Sequence, residues 1–98
     1  MIVKIHPSYR YVVSICDSDL LGKKFEDDKK QIDLTGNFFH GDEKNEEETA
    51  EIIQDMNLED ATFTIVGKKS CEVALKIGLI EEAGIIYVSD IPVALVLL

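Results

Sequence analysis

The last seven residues, PVALVLL, contain six aliphatic side chains and no polar alternation. A strand with one face in water alternates apolar and polar residues, so this run either has both faces buried or presents one of them to a partner. That demand weighs heavily on a chain of 98 residues, because a domain of this size buries only a modest share of its surface. The expectation is one domain, residues 1–98, built around a sheet with covered faces.

The upstream pattern supplies candidates for the rest of that sheet. IVKIH at 2–6 and YVVSIC at 11–16 are β-rich runs separated by PSYR, whose proline and serine suit a turn, and they predict an antiparallel hairpin. Alternation puts Val3 and Ile5 on one face and Tyr11, Val13 and Ile15 on one face. Residues 20–26 and 31–35 predict two short strands around the polar DDKK, and residues 36–41 a loop whose Phe38 and Phe39 plug the core. Residues 61–66, 84–88 and 92–98 predict three further strands.

Two helices complete the expected fold. Asn45 can accept from the N–H groups that a first turn leaves free, Glu48 is placed to complete a capping box, and Glu46, Glu47 and Glu48 suit the positive end of the helix dipole. Ala50, Ile53, Met56 and Asn57, with Thr49 and Ile52 at the margin, form the inward stripe. Residues 68–77 predict the second helix, with Cys71, Ala74 and Leu75 inward and Gly78-Leu79 as a left-handed glycine stop. The fold class is α+β: a small mixed β-sheet with an N-terminal antiparallel hairpin and about two helices packed on it.

Charge bears on function. The formal charge of −9 disfavours a polyanion partner, since nucleic-acid affinity rests on lysine and arginine displacing counterions. Most of the excess, however, lies in residues 42–60, and acids and bases nearly balance elsewhere, which predicts a bipolar molecule with a separate lysine-bearing region. No long uncharged apolar run and no signal-type N-terminus is present, so a membrane partner is not expected and the cytoplasm is the expected location. Cys16 and Cys71 lack CxxC spacing and read as small buried hydrophobes.

TIVGKKSCEVALKIG, residues 64–78, runs from β-formers through Gly67, Lys68 and Lys69 into a helical pattern, as a phosphate loop does. A true P-loop needs an upstream glycine so that several backbone N–H groups curl around the phosphate, and Thr64, Ile65 and Val66 are strand residues instead. A structural strand-to-helix turn is the expected reading, with generic anion affinity at Lys68, Lys69 and Ser70 as the functional one. Neither His6 nor His40 comes with a metal-ligand spacing, and nothing local pairs a histidine with Cys16. With no cofactor or metal motif, a non-enzymatic binding module is expected ahead of a small hydrolase or thiol enzyme, which would need a catalytic constellation that these residues do not assemble. Its first candidate surface is Arg10, Lys23, Lys24, Lys68, Lys69 and Ser70, with Tyr9, Tyr11, Phe38 and Phe39 as stacking platforms, for RNA rather than DNA. Its second is a protein-binding surface formed by Glu46, Glu47 and Glu48 of the acidic helix or by Pro92, Val93 and Leu95 of the last strand.

The segments VKIH, VVSICDSDLLGKKF, FFHGDE, VGKKSCEVALKIGLI and SDIPVAL, which together span almost every element, resemble the small archaeal family catalogued as domain of unknown function 424. The resemblance implies a compact α+β domain in an archaeal cytoplasm with an RNA or translation-apparatus role, and it transfers no catalytic residue. Family members usually read glycine-valine-proline-histidine-alanine-glutamine in the last segment, where this chain has Asp90-Ile-Pro-Val-Ala-Leu95. Val93 and Leu95 thus replace two polar groups, and a function needing those groups is not implied here.

Overall fold

In the computed structural model, residues 1–97 are described, so the expected strand residue Leu98 lies outside them. The chain runs β1 (Ile2–His6), β2 (Val12–Cys16), β3 (Lys24–Glu26), β4 (Gln31–Asp33), β5 (Asp42–Glu43), α1 (Glu46–Leu58), β6 (Thr62–Val66), α2 (Lys68–Lys76), β7 (Ile86–Val88) and β8 (Ile91–Val96). Six strands form one sheet in the order β5-β1-β2-β6-β8-β7, and β3 pairs with β4 in a separate hairpin. The sheet is mixed: β2 and β6 are parallel, and the other pairs are antiparallel. The expected α+β class and N-terminal hairpin are those observed.

Both faces of the sheet are covered, by different materials. Val3, Val13, Ile15, Phe63, Ile65 and Ala94 point to the helices, where they meet Ile53 of α1 and Cys71, Val73 and Ala74 of α2. Their sequence neighbours Ile2, Cys16, Val66 and Val93 point the other way, against Leu20, Leu34 and Phe39 and the half-buried Phe25 and Ile32 of the β3–β4 hairpin. The aliphatic run of the last strand is explained by this placement. β8 lies between β6 and β7, and it sends Ala94 into one core and Val93 into the other.

Several expected boundaries shift for physical reasons. β3 starts at Lys24 because the chain leaves β2 through a 3₁₀ turn at Ser18–Leu20 and then places Gly22 at φ 83°, outside any ladder. Phe39 plugs the core at 3 % exposure, whereas Phe38 lies 41 % exposed with its ring stacked 4.6 Å from that of His6. On α1, Ile53 is buried with Ala50, Ile52 and Met56 packed against the core as expected, while Thr49 is fully buried instead of marginal and Asn57 is exposed. At the end of α2, Leu79 N–H donates to Ala74 O at 2.9 Å and Gly78, at φ 80°, donates to Leu75 O, which is the expected left-handed stop.

The start of α1 is held twice. Glu48 N–H donates to Asn45 Oδ1 at 2.8 Å, and Asn45 N–H donates to Glu48 Oε1 at 3.0 Å. The chain entering the helix is itself anchored, because the N-terminal ammonium donates to Glu43 Oε2 at 2.6 Å and to Lys44 O at 2.9 Å. Chemical denaturation of Asn45→Ala is expected to show a loss of about 0.5–2 kcal/mol, the usual cost of removing such a cap. An unchanged midpoint would mean that α1 does not depend on this residue.

Candidate functional site

The parallel pair β2 and β6 ends side by side, and the residues just past the two strands decide the fate of the Gly67 turn. Asp17 N–H donates to Val66 O at 3.0 Å, which delivers the Asp17 side chain to the first turn of α2. Its carboxylate accepts from Ser70 N–H at 2.8 Å, from Ser70 Oγ at 2.7 Å and from Lys69 N–H at 3.1 Å. Asp17 is 7 % exposed and Ser70 is fully buried. The position where a phosphate would sit at this helix N-terminus is therefore filled by the chain's own carboxylate, which satisfies free N–H groups and complements the dipole.

Gly67 is required by that carboxylate. It sits at φ 114°, and a Cβ there would come within 2.3 Å of Asp17 Cγ. The same glycine joins the last strand: Gly67 N–H donates to Pro92 O at 2.9 Å. Pro92 has no N–H to return, and Gly67 O accepts instead from Cys71 N–H at 3.0 Å, the first bond of α2. The turn that resembles a phosphate loop is a structural junction.

Ser70, expected among the anion-facing groups, has both its N–H and its hydroxyl engaged inside the protein. The basic residues around it remain on the surface but divide between two ends of the sheet. Lys68 and Lys69 follow the end of β6 and open α2, while Lys23 precedes and Lys24 begins the hairpin on the opposite face. Arg10 and the fully exposed Tyr9 occupy the β1–β2 turn at the far end. Phe38 is committed to His6, whose Nε2 lies 3.0 Å from Phe38 O and 3.3 Å from Ser14 Oγ. The basic groups and aromatics are thus not assembled on one face.

The thiols are equally enclosed. Cys16 is 0 % and Cys71 2 % exposed, and both are pushed up to about 11, chiefly by burial and secondarily by the charge of Asp17. His40 Nδ1 is bonded to Gly36 O at 2.9 Å, and His6 is held at Phe38. Among the described residues, no three His, Cys, Asp or Glu side chains converge as metal ligands.

The acidic set separates by role. Glu48 caps α1, Glu46 lies 3.7 Å from Lys76 Nζ, and Glu47 is simply exposed. On the last strand Pro92 and Val93 are buried, and Leu95 alone of the three reaches the surface, at 50 % exposure. It is accompanied by Ile86 at 42 %, Tyr87 at 57 % and Leu97 at 71 %. Ile86 and Leu95, with Thr64 and Ile32, line an apolar cleft of about 240 Å³ under the hairpin. Ile86 and Tyr87 carry no local signal of exposure, because IIYV reads as a buried strand until β7 is known to be the sheet edge.

The family model described as "Protein of unknown function (DUF424)" matches residues 7–98. The chain belongs to this family. A crystal structure of an uncharacterized conserved protein from Methanopyrus kandleri is similar to this DUF424 chain, with a TM-score of 0.85 at 22% identity, over 96% of this chain and 87% of that one. That likeness is one of fold. No curated protein matches the DUF424 chain.

The buried junction makes two outcomes testable. Asp17→Asn keeps the shape but removes the charge and leaves donors facing an amide, and it is expected to cost about 1–3 kcal/mol in chemical denaturation. A variant as stable as wild type would show that α2 does not need the carboxylate. A thiol-specific chromogenic reagent at pH 8 is expected to leave Cys16 and Cys71 unmodified in the folded protein and to label both in denaturant. Fast labelling of the native state would contradict their enclosure.

Proposed function

We propose that the protein is a non-enzymatic binding module that takes a protein partner on the apolar surface at the β7–β8 edge. The observation that carries this reading is that Ile86 and Leu95 lie exposed side by side on the hairpin face of this edge, with Tyr87 exposed on its helix face, beside the buried Val88, Val93 and Ala94. An exposed apolar group of this kind costs solubility and is retained where it is covered in use. Strong net negative charge keeps such a surface from non-specific association with other acidic molecules in the cell.

A second reading, RNA or the translation apparatus, is supported by four exposed lysines, Lys68 and Lys69 at the start of α2 and Lys23 and Lys24 at the start of the hairpin. It is the weaker of the two. Asp17 already occupies the neighbouring helix N-terminus, Asp19 lies exposed next to it, and Arg10 is at the other end. An RNA backbone arriving at these lysines would meet those acids as well.

Affinity capture from the native cell, with and without ribonuclease, separates the readings. Partners are expected to survive ribonuclease and to be lost with Leu95→Glu, while reversal of the four lysines to glutamate leaves capture intact. Capture that disappears with ribonuclease and with the lysine reversal, but persists in Leu95→Glu, would replace the protein reading with the RNA one.

A further inference from the structure

β7 covers only half of β8. Their register pairs Ile86 with Val93, Tyr87 with Pro92 and Val88 with Ile91, so Ala94, Leu95 and Val96 extend past the end of β7. The direction of each backbone group there is set by the ladder with β6. Gly67 N–H donates to Pro92 O, and Gly67 and Pro92 continue the register in which Val66 faces Val93. In an antiparallel ladder the bonded positions alternate, so Pro92, Ala94 and Val96 turn their backbone groups to β6. Leu95 turns its N–H and C=O the other way, into the space that β7 has vacated.

That space is a groove. The chain before β7 swings aside through a 3₁₀ turn at Glu82–Gly84, and Leu79, Ile80, Glu81 and Gly84 on one side and Ala94–Leu97 on the other border an open groove of about 330 Å³. Natural sheet edges are commonly guarded by a charge, a proline or a bulge. Here residues 91–97 carry no charge, and the one proline, Pro92, lies beneath β7 instead of on the open stretch.

We infer that this edge takes an extended segment of another protein as an added strand, one in which apolar and basic residues alternate. The inference rests on the protein-binding reading above and specifies its mode. Backbone pairing to Leu95 supplies the anchor, and alternate side chains supply the selectivity. Side chains on the hairpin side enter the apolar cleft of Ile86 and Leu95, at whose rim Lys30 disfavours a second cation. Side chains on the helix side meet Leu79, Ile80 and Glu81, a setting that accepts a lysine stem against the aliphatics with its ammonium at the carboxylate. A second copy of this chain fits less well, since edge-to-edge pairing would bring Glu81 and Glu82 of both copies to one seam between molecules of charge −9.

The test changes the backbone and leaves the side chain. Cys71 permits ligation of residues 1–70 to a synthetic 71–98 segment, so Leu95 can be replaced by N-methyl-leucine, with the unmethylated ligated chain as reference. The methyl group removes a donor that has no partner among the described residues, so the melting temperature is expected to stay unchanged. A fluorescein-labelled peptide of alternating valine and lysine is expected to bind the reference saturably, and about tenfold or more weaker to the methylated chain. A valine and glutamate peptide is expected not to bind. Equal affinity of the valine and lysine peptide for both chains, or no binding to either, overturns strand addition. So does concentration-dependent self-association of the reference that the methyl group abolishes, which assigns the edge to a second copy. In native-cell capture, partners kept by the methylated chain but lost by Leu95→Glu overturn the added strand alone. Partners kept by both overturn the protein-binding reading beneath it.

Discussion

The carboxylate of Asp17 at the first turn of α2 is the contact around which the rest of this protein is arranged. It is made by a residue leaving β2, received by a helix that leaves β6, and possible only because Gly67 has no side chain. Through Gly67 the same junction reaches β8, whose proline sits opposite a carbonyl already engaged by the helix. Three strands and a helix are thus fixed relative to one another by one buried anion and its donors. A charge placed there without those donors would cost several kcal/mol in desolvation. The surrounding hydrogen bonds turn it into a point of registry.

The amino-acid sequence discloses the contacts that are local and conceals those that are not. The capping box at Asn45 and the glycine stop at Gly78 are written within four or five residues, and the first hairpin within fifteen, so their residue types announce them. Asp17 and Ser70 are 53 residues apart, and in the chain Asp17 looks only like an interruption between a strand and DLLGKKF. Phe38 and Phe39 are adjacent and chemically identical, and the turn alone decides that one enters the core and the other stacks on His6. Lys23, Lys24, Lys68 and Lys69 are legible as surface cations, but their division between opposite faces, with Arg10 at the far end, comes from topology and from nothing local.

Coverage of the sheet explains where its surface is left apolar. β8 has six residues, whereas β3, β4 and β7 have three each. At about 3.3 Å per residue, a three-residue strand spans roughly 10 Å and the last strand roughly 20 Å. The hairpin buries Val93 and only borders Leu95, which shares a cleft with Lys30, Gln31 and Ile32, and β7 pairs with Val93 but not beyond. The short β7 therefore leaves the backbone of Leu95 at the edge, and the cleft beside the hairpin leaves its side chain half exposed. No charged residue in the strand compensates for either.

These two ends of the sheet differ in what they offer another molecule. At the Asp17 end, the oriented N–H groups that make a helix N-terminus attractive to phosphate are already satisfied from within, and what remains is lysine charge interleaved with acids. At the Leu95 end, a neutral donor and acceptor pair has no match among the described residues and lies beside aliphatic side chains and a glutamate. Phosphate recognition needs convergent positive charge, and peptide recognition needs an unpaired strand edge with pockets for alternate side chains. The first requirement is met internally, at the cost of the site's availability to a ligand. The second is unmet by the fold itself, which is why the proposed partner is assigned to the edge of β8 and not to the loop that imitates a nucleotide site.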